Sequence, residues 1–430
     1  MRDTQPVYGE AMWHWNRRQF LSTGLFSLLA LTERVGAVEP SRFEPWRAGW
    51  LDLHHISTGR GNSMLAILPD GTSLMVDAGA VDETSDARAL APARPDASRR
   101  PGEWIARYAA RHLAATPAKQ IDTFVLSHFH GDHMGQLTAR SPQSKLGNYK
   151  LTGVSDVAET LPIRRVLDRG FPDYSYPGPI SDPSTLNYRS FLKAQQARGM
   201  KVERFRAGAS GQISLMYEAA KHAAFRVRNL ASNGEVWTGE GEKTRSLFPP
   251  LETLPRAQWP LENPCSNALR IEYGGFRYYI GGDLTWDTRF GSQPWMDAES
   301  PVAKVAGPVS AASLNHHGYY DSTGESFVRA MQARIYVLQS WHASHPAFDV
   351  LDRIYSPVLE PGKHDVLATD LVEAAEIVES RLSDRMLSQQ GHVVLRIEPG
   401  GERFWVVVLD SADESDRVKA RFGPFNSVSE

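Results

Sequence analysis

The segment Ser127-His128-Phe129-His130-Gly131-Asp132-His133 puts three imidazoles and a carboxylate within six consecutive residues, from His128 to His133. Neutral imidazole and carboxylate are the ligand types expected for zinc, iron or manganese. A histidine met singly, such as His14, His112, His222, His364 or His392, is ordinarily a surface group or a hydrogen-bonded core group. Clustering at the end of an apolar strand reverses that expectation, because alternation sends His128 and His130 to one side and the turn at Gly131 folds Asp132 and His133 back beside them. Two later pieces follow apolar runs: Gly281-Gly282-Asp283 and Asn315-His316-His317-Gly318. Asp283 has two oxygens and enough charge to bridge a pair of dications, and one of His316 and His317 would close the second site. Cys265 is the single cysteine, so a multi-thiolate site is excluded and any ion falls to histidines and carboxylates.

Elements able to position these groups are legible around them. Short strands are expected at Trp50 to Ile56, Ser63 to Leu68 and Ser73 to Val76, the last two joined by a turn at Pro69-Asp70-Gly71. A Pro-started helix follows at Pro101 to Ala115, then a strand from Ile121 to Leu126 that runs into the histidine cluster. Strands resume at Leu269 to Tyr273 and Phe276 to Ile280. Helices and strands then alternate: Glu325 to Ala333, Ile335 to Gln339, Leu371 to Arg381, Val393 to Ile397 and Phe404 to Val408. Such a pattern suggests two sheets packed face to face and covered by helices. Residues 171–262, rich in proline and aromatics with one helix at Tyr188 to Arg198, read as an insertion decorating the core. Residues 413–430 read as a frayed, acidic tail.

At the other end, Asn16-Arg17-Arg18-Gln19-Phe20-Leu21 precedes a weak apolar run too short to span a bilayer. It resembles a twin-arginine export signal with a small-residue cleavage region at Val35-Gly36-Ala37, so residues 1–37 are set apart from the domain at 45–412. With export the protein is periplasmic or secreted; without it, cytoplasmic.

His128 to His133, Asp77 in Met75-Val76-Asp77-Ala78-Gly79, Asp283 and the His316-His317 pair together resemble the metallo-β-lactamase superfamily. Within it the likeness is greatest to the nuclease-like domain of the competence DNA-uptake channel proteins and their free-standing relatives. Thr58-Gly59-Arg60-Gly61-Asn62-Ser63 ahead of Leu68-Pro69-Asp70-Gly71, Asn267 ahead of Leu269-Arg270-Ile271-Glu272-Tyr273, and His345-Pro346 carry that likeness, over about residues 50 to 410. The resemblance implies an α/β fold, the four-layer αβ/βα sandwich, with a dinuclear site between the sheets. His128 and His130 would hold the first ion and Asp132 and His133 the second. Asp283 would bridge, His316 or His317 would complete the set, and Asp77 would brace the ligand loop by hydrogen bonding. The two divalent ions would be zinc, with manganese or iron as alternatives.

The chain departs from the pattern in three places. No third first-site histidine stands between the cluster and Asp283; Asp168 is the candidate for that place and His222 its rival. Asn62 occupies a position commonly held by Asp in the competence proteins. Asp283, not Cys265, holds the place where some β-lactamases use Cys, which disfavours lactam hydrolysis. His342 and His345 are read as turn or packing residues that could line the pocket.

The reaction implied is hydrolysis by a water activated between two metal ions, with Asp132 orienting it. A phosphodiester is the leading substrate; a lactone, thioester or lactam, or a non-catalytic metal-binding regulatory role, are the alternatives. The formal net charge of -3 over 430 residues offers no global field for nucleic acid, so a phosphodiester or other small-molecule substrate must be held by the ions and a local pocket.

Overall fold

The computed structural model describes residues 41–81 and 89–428, and the expected export signal lies outside the described residues. Strands are β1 (Leu51–His55), β2 (Ser63–Ile67), β3 (Ser73–Ala78), β4 (Thr123–Val125), β5 (Arg165–Asp168), β6 (Lys201–Arg204), β7 (Phe225–Ser232), β8 (Glu235–Trp237), β9 (Thr244–Ser246), β10 (Ala268–Tyr273), β11 (Phe276–Ile280), β12 (Ala311–Ser313), β13 (Ile335–Leu338), β14 (Asp365–Ala368), β15 (His392–Ile397), β16 (Arg403–Leu409) and β17 (Val418–Asn426). Helices are α1 (Pro101–His112), α2 (Gly131–Met134), α3 (Gly153–Thr160), α4 (Pro183–Gln196), α5 (Glu299–Ala306), α6 (Glu325–Met331), α7 (Phe348–Ile354), α8 (Glu373–Val378) and α9 (Ser380–Ser383).

The strands form two sheets, ordered β17-β16-β15-β1-β2-β3-β4-β5-β6 and β14-β13-β12-β11-β10-β7-β8-β9. Side-chain alternation explains why they stack. In β2, Met64 and Ala66 enter the core between the sheets, while Leu65 and Ile67 turn outward to pack with Ile105, Tyr108 and Val157 of α1 and α3. In β13, Ile335 and Val337 face inward, while Tyr336 and Leu338 meet Val302, Phe327 and Leu351 of α5, α6 and α7. Each central strand is thus apolar on both faces, as a sheet covered on both sides requires. The result is helix, sheet, sheet, helix, the four-layer α/β sandwich.

β3 to β6 pair in parallel, and so do β11 to β14. Residues that follow β3, β4, β11 and β12 leave the sheets at their carboxyl ends, the end at which open α/β sheets bind ligands.

Two expectations are corrected. Residues 171–262 do more than decorate: β6 closes one end of the first sheet, and β7 lies inside the second, paired with β10 from Phe225 opposite Tyr273 to Ala231 opposite Ala268. Residues 413–430 do not fray where described. β17 pairs antiparallel with β16, Phe425 packs on Phe404 with ring centroids 5.3 Å apart, and Asp416 binds Arg111 at 3.1 Å. Alternation of Val418, Ala420 and Phe422 with Lys419 and Arg421 is the strand signal in that stretch.

α4 begins at Pro183, ahead of the expected Tyr188, because the Asp182 carboxylate accepts from the Thr185 N–H and proline fills the first turn. None of the helices among the described residues is long and apolar enough to cross a membrane.

Candidate metal centre

β4 ends at Val125, and the chain then crosses the mouth of the sandwich through Ser127, His128 and His130 into the short α2, which carries Asp132 and His133. Close packing fixes this loop. A Cβ on Gly79 would meet the Asp132 carbonyl oxygen at 1.8 Å, and the Asn62 N–H donates to that oxygen at 2.8 Å. Only glycine allows the end of β3 to approach the backbone of α2 so nearly. From the other sheet, Asp283 follows β11 and His317 follows β12; His316 and His317 both take left-handed backbone angles, φ 44° and 52°.

Two groups of ligand atoms converge, each within 4.8 Å: Asp132, His133, Asp283 and His317 in one, and His128, His130 and Asp283 in the other. Asp283 belongs to both, as a bridging carboxylate would. His133 Nε2 and Asp283 Oδ1 stand 3.1 Å apart, yet both are buried without a hydrogen-bond partner. A buried imidazole nitrogen beside a buried carboxylate oxygen, neither with a hydrogen-bond partner and both among further imidazole and carboxylate ligand atoms, fits a bound cation.

The histidines are held by their other nitrogens. His133 Nδ1 donates to Asp77 Oδ2 at 2.8 Å, His317 Nδ1 to the Gln339 carbonyl at 2.9 Å, and His128 Nδ1 lies 3.1 Å from the Ser127 hydroxyl. Each contact engages Nδ1 and turns Nε2 toward the other members of the groups, as outer partners do where imidazoles bind metal. Asp77 also accepts from the Ser127 N–H and hydroxyl, both at 2.7 Å, so it ties the end of β3 to the loop that carries His128 to His133.

Electrostatics point the same way. Burial alone would raise the Asp132 and Asp283 carboxyls, but the neighbouring imidazoles, His133 foremost, hold both well below the usual carboxylate range. Burial opposes charge on His133, yet Asp283, Asp132 and Asp77 together raise it well above an ordinary imidazole. Three carboxylates around one buried ring constitute a demand for positive charge. His128 is lowered by burial and then by His133, which favours the neutral, ligating form.

The remaining candidates separate clearly. His316 belongs to neither group: its Nδ1 is 2.6 Å from Asp321 and its Nε2 is 3.2 Å from Asn263 Nδ2, and although its ring and that of His317 both stand 3.8 Å from Asp283, His317 alone also meets Asp132, at 2.9 Å. Asp168, proposed from sequence for the missing first-site ligand, is not brought into either group. Its carboxylate is filled by the N–H groups of Gly170 and Phe171 and the hydroxyls of Tyr174 and Tyr188, at 2.7 to 3.0 Å. His222 sits in a short 3-10 turn with its ring 6.5 Å from Tyr273 and joins neither group. Cys265 is buried, and burial pushes its thiol up to about 12, away from the thiolate a metal needs.

His345 stacks on His317, centroids 4.6 Å apart and 15° between planes, so it packs the ligand ring in place.

Supporting residues that spacing did not reveal are Glu262, Gln339 and Glu299. Glu262 pairs with buried Arg169 and accepts from the Phe129 N–H at 2.8 Å inside the ligand loop. Gln339 acts through a backbone carbonyl, which side-chain type cannot signal. Glu299, fully buried, accepts from Asn315 at 2.9 Å and from the N–H groups of Thr323 and Gly324 at 2.7 Å, pinning both ends of the loop that carries His316 and His317.

Beside the site lies an open cavity of about 520 Å³ bordered by Val81, Phe129, His130, Asp132, Ile180 and Glu262, among others. No lysine or arginine borders it among the described residues.

No protein-family model matches the chain, and no curated protein matches it. Solved structures similar to it include CmlA, a diiron β-hydroxylase from Streptomyces venezuelae, at a TM-score of 0.37 and 13% identity over 83% of this chain. A mutant of that hydroxylase gives the same values. The chain spans 55% of the length of those hydroxylase chains. A protein described as a metal-dependent hydrolase, from Parabacteroides distasonis, is similar at a TM-score of 0.35 and 14% identity, over 77% of this chain and 97% of that one.

Proposed function

We propose that the protein is a metal-dependent hydrolase with two divalent ions, and that its substrate is a small phosphodiester. The observation that carries this reading is the pair of buried imidazole and carboxylate groups that share Asp283. His128, His130 and Asp283 would hold one ion, and Asp132, His133, Asp283 and His317 the other. Bound there, such ions lower the pKa of water toward about 7 and neutralise charge that develops on an oxyanion.

The chain's own groups supply position. Asp77, Ser127 and the Gln339 carbonyl fix the ring orientations. Asp132 borders the cavity with its side chain 16% exposed, which supports the reading that it would orient an attacking water. Phe129, Ile180 and Val81 supply the apolar part of the cavity wall. Its volume suits a small molecule or a strand end rather than a duplex.

A second reading, hydrolysis of an uncharged ester-type bond such as a lactone or thioester, is favoured by the absence of lysine and arginine from the described cavity wall. The two are separated by activity. Hydrolysis of bis-p-nitrophenyl phosphate that disappears with EDTA and in Asp132→Ala supports the phosphodiester; turnover of lactones alone excludes it.

A further inference from the structure

The two ligand groups are unequal, and the inequality has a direction. Asp132, His133, Asp283 and His317 supply four ligands, whereas His128, His130 and Asp283 supply three. In the four-ligand group the side chains of His133 and His317 are 0% and 1% exposed and that of Asp132 is 16% exposed. Asp77 and the Gln339 carbonyl brace the two rings at 2.8 and 2.9 Å. In the three-ligand group His128 has a brace, the Ser127 hydroxyl, which also lies 3.2 Å from His133 Nδ1 and donates to Asp77. His130 is exposed, borders the cavity, and has its ring bonded only to its co-ligand His128, at 3.0 Å, among the described residues. Neither residue expected to add the missing ligand here does so: Asp168 is saturated by its own hydrogen bonds, and His222 joins neither group.

We infer that the four-ligand position is the tight, resident one, and that the His128-His130-Asp283 position is the weaker, exchangeable one, open toward the cavity where substrate binds. Four chain ligands close a tetrahedral ion, whereas three leave a coordination place for an exogenous oxygen, the distinction between structural and catalytic zinc. Loss of one bracing partner alone ordinarily costs about 10- to 100-fold in affinity, and the three-ligand position has one ligand fewer and no brace on His130. This inference rests on the dinuclear reading above. It adds which ion stays and which exchanges, so that activity would track free metal concentration through His130.

Zinc binding to metal-stripped full-length protein, followed by competition with a chromophoric chelator, tests it. Wild type should bind two ions with dissociation constants at least about tenfold apart. His130→Ala, a change at an exposed position, should lose the weaker ion and leave the tighter constant within about threefold. His317→Ala should weaken the tighter ion at least about tenfold, and Asp132→Asn gives the same arm should His317→Ala fail to fold. Two ions of equal affinity, or loss of the tighter ion in His130→Ala, would overturn the assignment while leaving the dinuclear centre intact. No zinc bound by wild type would overturn both.

Discussion

Asp168→Ala separates a ligand from a structural carboxylate. In the folded chain Oδ1 accepts from the N–H groups of Gly170 and Phe171 at 2.9 and 2.7 Å, and Oδ2 from the hydroxyls of Tyr174 and Tyr188 at 2.8 and 3.0 Å. Asp168 is 0% exposed, and the two tyrosines are 4% and 3% exposed, so water cannot replace the lost acceptor without entering the core. Each bond contributes about 1 kcal/mol net, and donors left unpaired in the core add about 1–3 kcal/mol apiece. Burial raises the Asp168 carboxyl, so part of that cost is offset by removing a buried charge. The expected loss is about 3–5 kcal/mol, a large share of a domain's stability. Asp168→Asn should lose only about 1 kcal/mol, because its oxygen keeps the two N–H bonds and its amide can donate to the tyrosine oxygens. Urea unfolding gives the stability, and elemental analysis of zinc-loaded protein gives ions per chain. Full metal content with the large stability loss is the expected result. A lost ion with unchanged stability would refute the structural role and restore Asp168 as a ligand.

Three further outcomes are expected. Burial raises the Glu299 carboxyl from 4.5 to about 7, so the folded chain retains a proton that the unfolded chain releases; wild type should therefore lose stability relative to Glu299→Gln as pH rises from about 4.5 to 7, by up to roughly 3 kcal/mol, and a pH-independent difference in urea midpoints would contradict this. Gly79→Ala forces the Asp132 carbonyl away, and zinc titration should show affinity reduced about tenfold or more; unchanged binding would mean that loop position does not govern the ligands. Deleting residues 413–430 removes Phe422 and Phe425 from the inter-sheet core and Asp416 from Arg111, and calorimetry should show a loss of at least about 3 kcal/mol, against none for a frayed tail.

Period and punctuation made much of the sandwich readable. β2 and β3 flank a turn whose Asp70 and Gly71 mark it, and β10 and β11 alternate cleanly about Gly274-Gly275. The metal groups were readable because His128 to His133 are local in sequence and the later ligands each follow an apolar strand. Misreadings arose where sequence carries the same residues for different partners. A carboxylate at the end of β5 looks alike whether it meets a cation or Tyr174 and Tyr188, and only packing of α4 decides. β7 alternates Phe225, Val227 and the intervening arginines, yet the surrounding prolines made the whole stretch look peripheral. β17 follows an acidic, serine-containing run that masked its own alternation. His316 and His317 are adjacent and identical in type; the turn of backbone after β12, fixed by Glu299, is what sends one ring to Asp132 and Asp283 and the other to Asp321.

The central claim is a pair of cations sharing Asp283, and anomalous diffraction from zinc-loaded crystals tests it most directly. Two peaks are expected, one enclosed by Asp132, His133, Asp283 and His317 and one, of lower occupancy at limiting zinc, beside His128, His130 and Asp283. No peak near Asp283, or a peak held by Asp168, would contradict the account.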